Sequence, residues 1–161
     1  MLTPNINGKK DAPTGAPGWG TEPAQRSAGW GREKPQPDRL GKQVVVVGFD
    51  PFTLGSEKNL CDYFGYNAIT ATDWANAMEL FAKKGNRVGL AIIDSDILGL
   101  DRLWILGQMR ANHPEIKVVF IIANVTAEVR DTLIRAGASD VLNKPFNGHA
   151  FGELLSANLP L

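Results

Sequence analysis

Three stretches of this chain are apolar almost without interruption, and they limit the folds open to it more than any other feature. They are Val44–Val47, Val88–Ile93 and Val118–Ile122. A strand with one face in water alternates apolar and polar residues, whereas a parallel strand that is buried on both faces does not. The three runs therefore predict the central strands of a parallel sheet that helices cover on both sides.

Shorter strands and amphipathic helices fill the spaces between these runs. We predict strands at Ala68–Ala71 and Val141–Leu142, and helices at Phe52–Phe64, Asp73–Lys83, Leu100–Asn112, Thr126–Ala136 and Gly148–Asn158. Asp73 and Thr126 are favourable N-cap residues, and Gly137 follows the fourth helix where it ends. The alternation predicts one α/β domain, and the handedness of crossovers favours the flavodoxin-like five-stranded parallel order 2-1-3-4-5.

Residues 1–40 differ in composition from the rest of the chain. Six prolines and six glycines account for 12 of these 40 residues, a proportion typical of disordered chain. We therefore predict a disordered tail over residues 1–40 and a folded domain over residues 41–161. Trp19 and Trp30 each lie between two glycines in the tail, either as docking anchors for a partner or as incidental residues of a solvated linker.

Charge, apolar length and cysteine content exclude several classes of protein. Seventeen basic and seventeen acidic residues give zero net charge, which argues against a nucleic-acid partner. No run approaches the roughly 20 apolar residues of a membrane span, and the N-terminus does not resemble a signal peptide, so we expect a cytoplasmic protein without a membrane partner. The single cysteine, Cys61, excludes a disulfide framework and is more typical of a small core residue than of a reactive thiol.

The functional residues of an open parallel sheet gather beyond the carboxyl ends of its strands. The residues that follow the predicted strands are Gly48, Phe49 and Asp50 after strand one, Asp94 and Asp96 after strand three, Ala123 after strand four and Lys144 after strand five. The crevice at this edge is therefore predicted to hold one ammonium group among as many as three carboxylates.

Two segments of the folded domain resemble a known family. Ala136–Phe146, with its Lys-Pro-Phe ending, resembles the end of a response-regulator receiver domain of the CheY-like family. Leu90–Asp94 resembles the strand that carries the phospho-accepting aspartate of that family. Asp94 precedes Lys144 by 50 residues, as expected of a receiver. The resemblance extends over roughly Gln43–Leu159 and leaves the tail outside.

The resemblance implies a role for each charged group of the crevice. Asp94 would accept a phosphoryl group from a sensor histidine kinase and form an acyl phosphate. Lys144 would pair with the phosphoryl oxygens, and Mg²⁺ would neutralise the charge that gathers on the transferred group. The alternative for Asp94 is a turn or N-cap aspartate that is ion-paired with Lys144.

The metal-binding positions of the receiver pattern are altered in this chain. Gly48 and Phe49 stand where receivers carry the acidic pair that holds Mg²⁺. Asp50 and Asp96 are the acidic residues left to assist Asp94. Because Mg²⁺ requires several oxygen ligands in a near-octahedral arrangement, the resemblance implies weak or absent Mg²⁺ binding.

The switch positions are altered as well. Ala123 replaces the threonine or serine whose hydroxyl binds the phosphoryl oxygen in receivers. Val141 replaces an aromatic residue that moves on activation, and it is too small and too stiff to report that movement. Leu98 stands in place of a proline. Together these departures predict a degenerate receiver.

Two functions are consistent with this resemblance. The first is a stand-alone receiver protein of two-component (phosphorelay) signal transduction that acts by binding a sensor histidine kinase or a downstream signalling protein. The alternative is a phosphorylation-independent scaffold or adaptor that docks through its tryptophan-containing tail. An enzyme is disfavoured, because the chain lacks the glycine-rich loops that bind nucleotide phosphates.

The third predicted helix bears the remaining candidate for partner contact. Its apolar residues Leu103, Ile105, Leu106 and Met109 are predicted to face the sheet. Trp104 is then either an exposed interaction residue or part of the rim of the core. The resemblance also implies homodimer or partner contact through the fourth helix, the fifth strand and the fifth helix.

Overall fold

The computed structural model of the protein describes residues 42–94 and 100–160. Five parallel strands form one sheet in the order β2-β1-β3-β4-β5. They are β1 (Gln43–Val47), β2 (Ala68–Ala71), β3 (Val88–Asp94), β4 (Lys117–Ala123) and β5 (Asp140–Lys144). The α-helices of the described ranges are α1 (Pro51–Tyr63), α2 (Trp74–Lys84), α3 (Arg102–Asn112), α4 (Ala127–Ala136) and α5 (Gly148–Asn158). The predicted flavodoxin-like fold is confirmed.

Some of the residues singled out from the sequence lie outside the described ranges. They are Trp19 and Trp30 of the predicted tail, together with Asp96 and Leu98. The predicted boundary between a tail and a folded domain therefore stays a prediction. Within residues 42–94 and 100–160, the helices are all too short or too polar to cross a membrane.

Each central strand contributes to two apolar cores, one on either face of the sheet. Because successive side chains of a strand point to opposite faces, Val44 and Val46 of β1 pack with α1 and α5, whereas Val45 and Val47 pack with α2, α3 and α4. The residues of β3 and β4 alternate in the same way. Cys61 belongs to the α1 side, where burial raises the pKa of its thiol to about 12, so it is a core residue as predicted.

The helices begin where a side chain accepts a backbone N–H group of the first turn. These cap residues are Asp50, Asp73, Asp101, Thr126 and Asn147. Such caps fix the start of a helix, and the predicted helix boundaries differ from the observed ones by at most two residues. The fifth strand lies at the edge of the described sheet, next to β4. It is longer than predicted, because the polar residues at its two ends conceal the strand pattern. Lys144 is therefore the last residue of β5 and does not follow it.

The prediction for α3 was wrong at one residue. Ile105, Leu106 and Met109 are buried against the sheet, but Leu103 is 45% exposed. At about 100° per residue, Leu103 lies well outside the arc that these three residues share. Trp104 is 46% exposed. Its ring lies edge-on to that of Trp74, with the two ring centroids 6.4 Å apart. Trp104 is therefore exposed and also packs at the rim of the core, and its role in partner contact stays a prediction.

Candidate functional site

Asp94 and Lys144 meet at the carboxyl edge of the sheet. Asp94 ends β3 and Lys144 ends β5, with β4 between them. The Lys144 ammonium spans the intervening strand and donates to both carboxylate oxygens of Asp94, at 2.9 and 3.0 Å. Asp94 is only 6% exposed, so this is a largely buried ion pair. The contact is common to the phosphoacceptor interpretation of Asp94 and to the alternative of a structural ion pair.

The end of β1 approaches the same aspartate from the other side. Gly48 is so close to its neighbours that a Cβ atom there would lie 2.9 Å from Cδ2 of Leu54 and 3.5 Å from Cβ of Asp94. Leu54 is buried, so its side chain fills the space that an acidic side chain at position 48 would need. Phe49 follows with a side chain that is 66% exposed. A buried leucine therefore lies against position 48, the side chain at position 49 is largely exposed, and the assignment of these two positions to the receiver acidic pair stays a prediction.

Asp50, one position further along, serves as the N-cap of α1. Its carboxylate accepts hydrogen bonds from the backbone N–H of Thr53 at 3.0 Å and from the Thr53 hydroxyl at 2.6 Å. These bonds, the hydroxyl bond first, lower the pKa of Asp50, because they stabilise the charged form. The carboxylate of Asp50 is thus engaged in holding the first turn of α1.

The positions of these side chains bear on whether the site can hold Mg²⁺, the ion that receivers bind. In the two ranges that the structure covers, no group of three or more histidine, cysteine or carboxylate side chains is placed to hold a metal ion. The carboxylate of Asp94 is paired with Lys144, and Asp50 caps a helix. The described residues therefore do not fit a six-coordinate Mg²⁺ ion, and weak binding that includes Asp96 stays a prediction.

Ala123 and Val141, the two predicted switch positions, lie on opposite faces of the sheet. Ala123 ends β4 in register with Lys144, on the face that carries Asp94, and its methyl group offers no hydrogen-bond donor. Val141 is buried in the core on the α4 side. Its carbonyl oxygen accepts a hydrogen bond from Arg130 at 2.7 Å, and Arg130 also pairs with Asp140 at 2.9 Å. Through these two contacts Arg130 links α4 to β5.

Glu57 is a member of the site that the sequence analysis missed. It lies in the middle of α1 and is 2% exposed, and neither carboxylate oxygen has a hydrogen-bond partner among residues 42–94 and 100–160. Burial, and after it the negative charge of Asp94, raise the pKa of Glu57 to about 7 against the opposing effect of Lys144. A signal was available, because Glu57 is spaced three residues after Leu54 and four before Cys61, on the buried stripe of the helix.

A cavity of about 660 Å³ opens beside the ion pair. We call it the α1–β5 cavity, because α1 forms one wall and the end of β5 with the residues after it forms the other. Its lining residues are Phe52, Thr53, Ser56, Glu57, Leu60, Ala123, Asn124, Lys144, Pro145 and Phe146. The cavity is lined both by Glu57 and by the predicted site residue Lys144. Nothing in the sequence pattern indicated a cavity here.

Comparisons with known proteins agree on one family. Residues 44–156 match the family model of the response regulator receiver domain. The chain is 32% identical over 111 residues to the nitrogen assimilation regulatory protein NtrX of Azorhizobium caulinodans, which covers 67% of this chain and 24% of that protein. It is 29% identical over 114 residues to the response regulator MprA of a Mycobacterium species, which covers 71% of this chain and 47% of that protein. The chain thus spans less than half the length of these relatives.

Solved structures agree on the fold. A response regulator from Thermotoga maritima has a TM-score of 0.67 at 24% identity, over 74% of this chain and 98% of that chain. The receiver domain of NtrX from Brucella abortus has a TM-score of 0.65 at 24% identity, over 73% of this chain and 98% of that chain. Both likenesses cover about three quarters of the chain and show its fold.

Proposed function

Since this chain belongs to the response regulator receiver domain family, we propose that it passes a two-component signal to another protein, with Asp94 as its phosphoacceptor. One observation supports the proposal above the others: the Lys144 ammonium contacts both oxygens of Asp94 at the carboxyl edge of the sheet. A carboxylate oxygen can attack the phosphorus of a donor, so that an acyl phosphate bond forms as the bond to the donor breaks. Lys144 would then stabilise the negative charge of the phosphoryl oxygens.

The same site gives this transfer little further help. Gly48 and Phe49 contribute no carboxylate, and Ala123 contributes no hydroxyl. Removing a single donor that stabilises a transition state typically slows a reaction by about 10²–10³-fold. We therefore propose a degenerate receiver that is phosphorylated slowly and holds Mg²⁺ weakly or not at all.

A second function is favoured by a separate observation. The charge of Asp94 is already balanced by Lys144, and Val141 is a buried residue whose carbonyl oxygen is bonded to Arg130. A domain held in this way can present one constant surface to a partner without any modification. In this version the protein is a phosphorylation-independent adaptor, and the segment with Trp19 and Trp30 is its docking element.

The partner in the first version is a sensor histidine kinase or a downstream signalling protein. The surface of α4, β5 and α5 is the proposed place for a homodimer or a partner. Ile134 of α4 supports this assignment, because it is among the exposed large apolar residues of the described chain. Exposed apolar residues of this kind are commonly buried on association.

Phosphorylation and partner capture, measured together on the full chain, separate the two functions. The protein is incubated with Mg²⁺ and acetyl phosphate, and its intact mass is recorded over time. We expect slow gain of a single phosphate by the wild-type chain and none by Asp94→Asn. If neither protein gains phosphate while both capture the same partner equally, the adaptor function replaces the phosphoacceptor function.

A further inference from the structure

We propose that the α1–β5 cavity binds a small organic cation, an amine or amidinium group on an apolar body, and that Glu57 is the carboxylate that pairs with it. The inference goes beyond the proposed function, because it requires no phosphoryl group on Asp94. It rests on the size and lining of the cavity, on the charges around it and on the bonding state of Glu57.

The cavity has the size and lining of a small-molecule site. Its volume of about 660 Å³ falls within the range of roughly 300–1,000 Å³ that is usual for such sites. Apolar side chains form much of its wall, among them Phe52, Leu60 and Phe146. A few polar groups, those of Thr53, Ser56 and Asn124, complete the lining. An apolar ligand body with one polar group matches this arrangement.

The charges around the cavity favour a cation. Lys144 donates hydrogen bonds to both carboxylate oxygens of Asp94, and the charges of these two groups are opposite. Glu57 is a third charged group, and within the described ranges no side chain or backbone group bonds to either of its oxygens. Burying a carboxylate without a donor is unfavourable. A ligand with one positive charge and N–H donors would satisfy Glu57 and bring the net charge of the three groups and ligand to zero.

The lining favours an organic cation over a metal ion. Mg²⁺ prefers several oxygen ligands and retains bound water, whereas aromatic and aliphatic carbons line much of this cavity. The Glu57 oxygens are closed to water in the present conformation. The terminal torsion of a glutamate is broad, so a rotation of that torsion can turn an oxygen towards the cavity when a donor enters.

Binding of benzylamine to the full chain tests the proposal. Benzylamine is titrated in parallel with benzyl alcohol, its neutral analogue, and with MgCl₂ alone, and amide chemical shifts are followed by NMR. We expect saturable shifts with benzylamine at residues of the cavity. Removing a charge-assisted hydrogen bond should weaken this binding about tenfold in Glu57→Gln, whereas Glu79→Gln, the same chemical change on the exposed face of α2, should leave it within about twofold.

Several results would overturn the proposal. They are equal binding of benzyl alcohol, unchanged affinity in Glu57→Gln, the same shifts with Mg²⁺ alone, and no saturation by any of the three probes. Because Glu57→Gln keeps the shape of the side chain and removes a buried charge, it should remain folded, as its NMR spectrum will show. Two measurements on the wild-type chain separate this proposal from the proposed function. A chain that gains no phosphate but binds benzylamine supports only the present proposal, and a chain that gains phosphate but does not bind benzylamine overturns it.

Discussion

The β5 side of the site and its α1 side treat a buried carboxylate in opposite ways. On the β5 side, Asp94 is held by two hydrogen bonds from Lys144. On the α1 side, Glu57 is also buried, yet no donor from the part of the chain that the structure describes reaches it. The difference teaches that burial alone does not mark a carboxylate as structural or functional. The presence or absence of a partner decides what each carboxylate costs the fold and what it can bind.

The largest expected effect comes from breaking the pair on the β5 side. Lys144→Met should lower the free energy of unfolding by about 3 kcal/mol, because it leaves the Asp94 carboxylate buried without its cation. Asp94→Asn should cost only about 1 kcal/mol, because the freed ammonium of Lys144, which is partly exposed, can extend towards water. Urea denaturation of both variants measures the difference. An equal loss in the two variants would contradict the contrast.

Removing the charge of Glu57 on the α1 side should raise the free energy of unfolding, which is opposite to the effect of Lys144→Met. The folded state raises the pKa of Glu57 from 4.5 to about 7, so the folded chain binds more protons than the unfolded chain between these values. Its free energy of unfolding should therefore fall as the pH rises from 4.5 to 7 and should level off above 7. At pH 8, Glu57→Leu should be more stable than wild type by about 3 kcal/mol.

The measurement for Glu57 is a comparison of denaturation curves at pH 5 and pH 8. Glu79→Leu, on the exposed face of α2, is the matched control and should not reproduce the pH-dependent gain. A Glu57→Leu variant that is no more stable than wild type at pH 8 would show that Glu57 has a partner in solution.

A smaller effect is expected where β1 meets α1. Gly48→Ala should lower stability by about 1–2 kcal/mol, because its Cβ would crowd the buried side chain of Leu54. Gly55→Ala is the control on the same helix, since a Cβ there meets nothing within 4 Å. It should raise stability by about 0.5–1 kcal/mol through helix propensity. Thermal unfolding of the two variants should therefore shift in opposite directions.

The smallest effect belongs to the link between α4 and β5. Arg130→Met removes the hydrogen bond to the carbonyl oxygen of Val141 and the pair with Asp140. Because Arg130 is half-exposed, the loss should be about 1 kcal/mol. Arg135→Met, an exposed change at the end of the same helix, should be nearly neutral in the same denaturation experiment. Equal stability of the two variants would show that Arg130 does not stabilise the contact between α4 and β5.

The fold could be predicted from sequence because its central strands are buried on both faces. The run Val44–Val47 carries no polar residue, whereas a strand with one face in water would alternate polar and apolar residues. The C-terminal end of β5 could not be predicted in this way, because Asn143 and Lys144 are polar residues of an edge strand. Leu103 was misplaced because apolar character was taken as burial, although its angular position on α3 points away from the sheet.

The candidate site was predictable in part. The placement of Asp94 and Lys144 at the ends of parallel strands brings them to one edge, and their contact follows from the topology. Glu57 could not be placed in this way, because it lies in a helix interior and touches the site through tertiary packing. The collision between position 48 and Leu54 depends on atomic distances that no spacing rule contains. The α1–β5 cavity likewise depends on atomic distances and could not be predicted from residue spacing.

That collision also has a consequence for engineering a metal site at this edge of the sheet. An aspartate introduced at position 48 would crowd the side chain of Leu54, whereas shrinking Leu54 alone would open a hole in the core. A designed metal site would therefore need both changes together, with a smaller side chain at position 54 leaving room for the carboxylate at position 48.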